Sequence, residues 1–141
     1  MKQTICVDVD GVLATDDGWQ GVDHFGDPID GAIEFTKRLS EYFHICIFTC
    51  RCYGDINKPE KPHLLVNRVR NWLDEHGVAY DEIYAGVGKP IALAYIDDRG
   101  INCQPGKHGK KVFDDIINLL IKEEKTKEIE ELSDIDKKLA E

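Results

Sequence analysis

Apolar positions along this chain alternate between two rhythms. Residues 4–9 (TICVDV) and 44–49 (HICIFT) are short runs rich in β-formers and read as buried strands. Between them Ala32, Phe35, Thr36 and Leu39 recur at i, i+3, i+4 and i+7, one face of a helix with Asp30 expected as its N-cap. The helical period returns at Leu65, Val69, Trp72 and Leu73, and Gly77 stands where a C-terminal cap belongs. Residues 82–85 form a weak third strand and residues 92–96 a fourth. Val112, Phe113, Ile116, Ile117, Leu120 and Ile121 mark a last core helix. A glycine-rich, acidic loop covers residues 14–30, and no internal repeat occurs.

Strands that alternate with helices, and are apolar on both faces, predict an α/β domain. The expected architecture is three-layered and Rossmann-like, a mainly parallel sheet with helices on both faces. It should span residues 1–121 and be followed by a charged tail, 122–141, which holds eight acidic and five basic residues. In that tail Ile129, Leu132, Ile135 and Leu139 recur at helical spacing. This thin stripe is expected to dock on its own domain or on a second subunit, away from the site.

Ligands of such sheets bind beyond the carboxyl ends of the strands. Asp8 and Asp10 end the first strand, Thr49 the second, and Asp97 and Asp98 the fourth, while Lys89 stands in the loop entering the fourth. Residues far apart in sequence are thus predicted to converge on one edge. Two like charges about 4 Å apart repel by on the order of 4 kcal/mol at an effective dielectric near 20. Either some of these carboxyls are protonated or a cation sits among them. Oxygen ligands without imidazole or thiolate favour magnesium or calcium over zinc. Magnesium, a lysine and a hydroxyl are the usual equipment for holding a phosphoryl group, and the remaining carboxylates can serve as nucleophile and general acid/base.

Taken singly, each piece has a plain structural meaning: Asp10-Gly11 as a turn, Thr49 as a β-former, Lys89 as a surface lysine, Asp97-Asp98 as a loop start. Their joint order at strand ends is what points to chemistry. Composition narrows the field further. The chain is 42% hydrophobic and 32% charged, and its net charge of −9 disfavours nucleic acid and anionic membranes as bulk partners. No apolar run approaches the roughly 20 residues needed to cross a bilayer. The N-terminus resembles no signal peptide, so a cytoplasmic location is expected. Cys6 and Cys46 lie within strands, Cys50 and Cys52 form a C-x-C, and Cys103 stands alone. With no C-x-x-C, a reduced and structural role is expected for them.

Four segments together resemble the haloacid dehalogenase superfamily of phosphohydrolases. Val7-Asp8-Val9-Asp10-Gly11-Val12-Leu13 matches its D-x-D-G strand end, and Ile45-Cys46-Ile47-Phe48-Thr49 its strand ending in Ser or Thr. Gly88-Lys89-Pro90 matches its lysine, and Tyr95-Ile96-Asp97-Asp98 its paired aspartates. The likeness covers about residues 4–121, and the first and last motifs are the specific ones.

The resemblance implies roles. Asp8 would be the nucleophile that forms an aspartyl-phosphate, and Asp10 the acid/base that protonates the leaving alcohol and later activates water. Thr49 and Lys89 would hold phosphoryl oxygens. Magnesium would be held by the Asp8 carboxylate, the Asp10 backbone carbonyl and Asp97, with Asp98 beside it. Aspartate at position 10 points to phosphatase or phosphomutase work. No inserted domain fits before Lys89, so the chain resembles the capless branch, and its Ile-Asp-Asp-Arg ending resembles small bacterial and phage members of unassigned substrate.

Arg51 joins Thr49 and Lys89 as a candidate phosphate-binding residue. For it and for Arg99, a counter-charge to the carboxylates is the equal alternative. Trp19 and Phe25 are candidate stacking residues or loop packing. Lys107, His108, Lys110 and Lys111 form a solvated basic cluster or a contact to a phosphate backbone. The expected substrate is a small phosphomonoester such as a nucleotide or sugar phosphate, with polynucleotide ends also open and a homo-oligomer one way to cover the site. A receiver-like phosphotransfer domain orders its motifs differently: its single phospho-accepting Asp lies mid-chain and its Lys comes last. A non-catalytic phosphate-binding module is disfavoured because every motif position is filled. A cysteine phosphatase needs Arg six residues past its cysteine, where Cys50 and Cys52 have Ile56 and Lys58.

Overall fold

Each apolar run becomes a strand shorter than the run itself: the first three give up their last residues to loops, and the fourth gives up its first two. β1 spans Thr4–Val7, β2 His44–Ile47, β3 Glu82–Ile83 and β4 Ala94–Ile96. The structure, a computed structural model, describes residues 1–139. The strands form one sheet in the order β3-β2-β1-β4, and every pairing is parallel. With its helical crossovers the fold is α/β and Rossmann-like, and no separate domain is inserted between β1 and β4.

Strand alternation sorts the core. Ile5, Val7, Ile45 and Ile47 join one buried cluster with Ala32, Val69, Trp72 and Leu73 from the helices. Cys6 and Cys46 fall on the opposite face and are buried as well. Burial pushes both thiols up, which keeps them protonated and inert. All five cysteines are free.

The first helix, α1, runs Ala32–Ser40. Its expected N-cap is corrected: Gly31 occupies that place at φ 84°, with no side-chain cap bond. The chain enters the helix through a left-handed residue that glycine adopts without strain. Ala32 N–H donates to the Ile29 carbonyl at 3.0 Å, so a backbone turn satisfies a donor that Asp30 was expected to cap. Thr36 is fully buried, and its hydroxyl donates to Ile33 O at 2.7 Å and accepts from Ala79 N at 3.1 Å. The helix α2, Pro62–His76, starts on proline, buries Leu65, Val69, Trp72 and Leu73, and ends on Gly77 at φ 73°.

Contacts divide the chain into two compact units, Met1–Gly100 and Ile101–Glu141. The second holds the short helix α3, Pro105–His108, and the long helix α4, Lys111–Leu139. Val112, Phe113, Ile116, Ile117, Leu120 and Ile121, expected to mark a last helix, all lie in α4, where no residue is buried. The charged stretch 122–127 contains neither Gly nor Pro and consists mostly of good helix formers. The helix therefore runs through it without a break, and Ile129, Leu132, Ile135 and Leu139 are all exposed. No helix among the described residues is long and apolar enough to cross a membrane.

Candidate functional site

The strand order places a switch point beside β1. From β1 the chain moves outward to β2 and β3, then returns to the other side of β1 for β4. Crossovers that diverge in this way leave a crevice at the carboxyl ends of the strands. The ladder runs up to its rim: Asp8 N–H donates to Ile96 O and Phe48 N–H to Val7 O, both at 3.0 Å. A cleft of about 390 Å³ opens there, lined by Asp8, Asp10, Thr49, Asp97, Asp98 and Arg99, together with Asp16, Phe48, Cys50 and Tyr53.

Asp8, Asp97 and Asp98 each offer a carboxylate oxygen, and the three oxygens lie within 4.8 Å of one another. The Val9 N–H donates to Asp8 Oδ1 at 2.8 Å, and the Arg99 N–H to Asp97 Oδ1 at 2.8 Å. The Asp8 carboxyl is pushed up to about 6. Burial is the largest cause, the Val9 hydrogen bond opposes it, and the Asp97, Asp10 and Asp98 charges add to it. Desolvation, followed by a hydrogen bond with Asp97, likewise raises Asp98. Arg99 Nε stands 3.7 Å from Asp98 Oδ2, but its side chain is largely exposed and neutralises the cluster weakly.

Gly11 brings the D-x-D-G turn against the cluster. Its φ is 82°, and a Cβ on it would overlap the Asp98 carboxylate. Gly11→Ala is therefore expected to lower stability by about 1–2 kcal/mol through backbone strain and to weaken cation binding by displacing Asp98. Calorimetric titration with magnesium checks this, and an unchanged magnesium isotherm would refute it.

The remaining candidates part company. Thr49 is buried, and its Oγ1 accepts from Arg51 N at 3.3 Å. Arg51, on the 3-10 turn Cys50–Cys52, does not line the cleft. Its guanidinium grips the Asp10 carboxylate, Nε to Oδ2 at 2.7 Å and Nη2 to Oδ1 at 2.8 Å. Of the two readings for Arg51, the geometry is that of a counter-charge. Lys89 is also absent from the cleft lining, and its Nζ lies 3.9 Å from the centroid of the Tyr95 ring. Trp19 and Phe25 pack on Arg51. Lys107 and His108 lie in α3, Lys110 between the helices, and Lys111 opens α4.

Sequence reasoning missed Asp16, Phe48, Cys50 and Tyr53 as lining residues. Asp16 stands among many acids in its loop. Phe48 and Cys50 flank Thr49 and Tyr53 follows four residues after it, and that proximity was the available signal.

No family model matches the chain, and no curated protein matches it. Solved structures do. The crystal structure of an MCSG target from Vibrio cholerae is 31% identical, with 86% of this chain and 98% of that chain covered and a TM-score of 0.44. The chain is also similar to D,D-heptose 1,7-bisphosphate phosphatase from B. bronchiseptica, solved with magnesium and phosphate. Identity there is 20%, over 84% of this chain and 63% of that chain, with a TM-score of 0.39.

Proposed function

We propose that the chain is a magnesium-dependent phosphohydrolase that cleaves a small phosphomonoester through an aspartyl-phosphate on Asp8. The observation that carries this is the gathering of Asp8, Asp97 and Asp98 oxygens within 4.8 Å, in a cleft that Asp10 and Thr49 also line. These are positions at which the sequence resembles the haloacid dehalogenase superfamily, in its capless form.

The donor set fits magnesium. Its three side chains offer only carboxylate oxygens. Cys50, which also lines the cleft, is not one of the three side chains so grouped. The Asp8 and Asp97 carboxylates and the Asp10 carbonyl would hold the ion, with Asp98 adjacent. When bound, it supplies positive charge for the phosphoryl oxygens.

The protein's own groups carry the chemistry. Asp8 Oδ1 is engaged by Val9 N–H, which leaves Oδ2 to attack phosphorus. The Oδ2–P bond forms as the bond to the leaving oxygen breaks, and Asp10 gives that oxygen its proton. A water molecule then attacks phosphorus, Asp10 takes the water proton, and the bond to Asp8 breaks. The Thr49 hydroxyl donates to a transferring oxygen. Lys89, on a flexible four-carbon stem, leaves the Tyr95 ring for the incoming dianion.

The test is a panel of nucleotides, sugar phosphates and p-nitrophenyl phosphate, assayed with magnesium and with EDTA. Magnesium-dependent release of phosphate that EDTA abolishes is expected. Phosphate binding without release from any ester would make the chain a non-catalytic or receiver-like module instead.

A further inference from the structure

Arg51 is 6% exposed, an uncommon place for a guanidinium. Its fork engages both oxygens of Asp10, while its third nitrogen, Nη1, is buried without a hydrogen-bond partner. Aromatic rings hold the cation instead. Its Cζ lies 3.9 Å from the Phe25 centroid and 5.6 Å from that of Trp19. Phe25 in turn stacks on Trp72, with centroids 5.9 Å apart and planes at 17°.

The loop carrying those rings is itself tied to α2. Trp72 Nε1 donates to Gly26 O at 3.2 Å, and Arg68 Nε reaches Asp23 Oδ1 at 2.7 Å. A Cβ at Gly26 would overlap the Thr15 backbone, so glycine permits the close approach of the loop's two limbs. The helix thus holds the loop whose rings pack on the guanidinium.

A pair serving stability alone is poorly built this way. A buried donor without a partner costs about 1–3 kcal/mol, and burying a charge pair often fails to repay its desolvation. What the arrangement does achieve is a fixed orientation for Asp10, because a two-point fork constrains both position and plane. Each carboxylate oxygen keeps a further lone pair for the cleft side. Asp10 lines the cleft and Arg51 does not, so Arg51 acts on the cleft through Asp10.

We propose that Arg51 is a positioning residue whose fork, packed against the Phe25 ring with Trp19 near it, fixes the Asp10 carboxylate where it meets the leaving-group oxygen. The proposal rests on the acid/base role given to Asp10 above. It makes the loop that follows β1 a support of the catalytic step rather than a mere connection.

The experiment compares p-nitrophenyl phosphate, which needs little acid help, with an alkyl phosphate, which needs much. Both are hydrolysed with magnesium by the parent protein, Asp10→Asn, Arg51→Ala, Arg51→Lys and Asp10→Asn/Arg51→Ala, with melting temperatures recorded. Arg51→Ala should lower kcat on the alkyl phosphate about 10- to 100-fold, within the range of general-acid effects. Its loss on the aryl ester should be much smaller and its KM nearly unchanged. Added guanidinium should restore part of the lost kcat, and the double variant should be no worse than Asp10→Asn.

Equal losses on both esters, multiplicative losses in the double variant, or a raised KM with intact kcat would overturn the positioning role. If Asp10→Asn itself shows no dependence on the leaving group, the acid assignment fails and positioning falls with it. Should Arg51→Ala not fold, Arg51→Lys and Phe25→Leu supply the same comparison.

Discussion

Asp8→Asn is expected to abolish turnover, by on the order of 10⁴-fold or more, as loss of a nucleophile does elsewhere, while the domain stays folded. Asparagine has the same shape and can still accept the Val9 N–H that Asp8 Oδ1 accepts at 2.8 Å. Its effect on the metal-free protein has a definite sign. Burial first, then the neighbouring aspartates, raise the Asp8 carboxyl from its ordinary value of 3.8 to about 6. The folded state therefore holds this proton more tightly than the unfolded chain. The stability it contributes is fully present below about pH 4 and is lost as pH rises through about 6. At pH 7 to 8 in EDTA, Asp8→Asn should be more stable than the parent by on the order of 1–2 kcal/mol, a figure discounted for the partial exposure of Asp8. The difference should vanish below about pH 4. Phosphate-release assays and pH-dependent melting check both halves. Residual turnover near the parental rate would remove Asp8 from the mechanism.

Leu73→Ala should have the largest effect on stability, about 2–5 kcal/mol. Leu73 is fully buried and belongs to the cluster that joins α2 to β1 and β2 through Val7, Ile45 and Ile47. Truncation leaves a cavity where the helix meets the sheet. Against a total stability of about 5–15 kcal/mol, such a loss lowers the denaturation midpoint in urea well outside error. Turnover per folded molecule should change little, since Leu73 does not line the cleft. A loss below about 1 kcal/mol would mean that the site collapses around the smaller side chain.

Much of this was legible in the chain because it follows from local periodicity. The four apolar residues assigned to α2 are the four it buries, and Gly77 caps it. The cluster of Asp8, Asp97 and Asp98 follows from one topological rule, that parallel strands present their carboxyl ends together. The Asp10–Arg51 fork was harder to see: it joins positions 41 apart, and no local pattern distinguishes a guanidinium facing substrate from one facing a carboxylate. The start of α1 eluded the reading because Gly31 and Asp30 are both plausible caps, and the choice depends on the φ of one residue. The continuity of α4 was obscured because apolar spacing lapses across 122–127 while helix propensity does not.

The place of β1 between β2 and β4 also sets an order of events in folding. Ile5 pairs with Ile45 on one side and with Ala94 on the other. Closing the second pairing spans far more chain and carries the larger loop entropy. A nucleus of β1, β2 and the helices between and after them can form while Asp97 and Asp98 are still distant from Asp8. The mutual repulsion of the carboxylates is then incurred only in the last step, when β4 docks. A divalent ion that needs the finished cluster can bind only once β4 has docked. It should leave the folding rate nearly unchanged and slow unfolding in proportion to its occupancy.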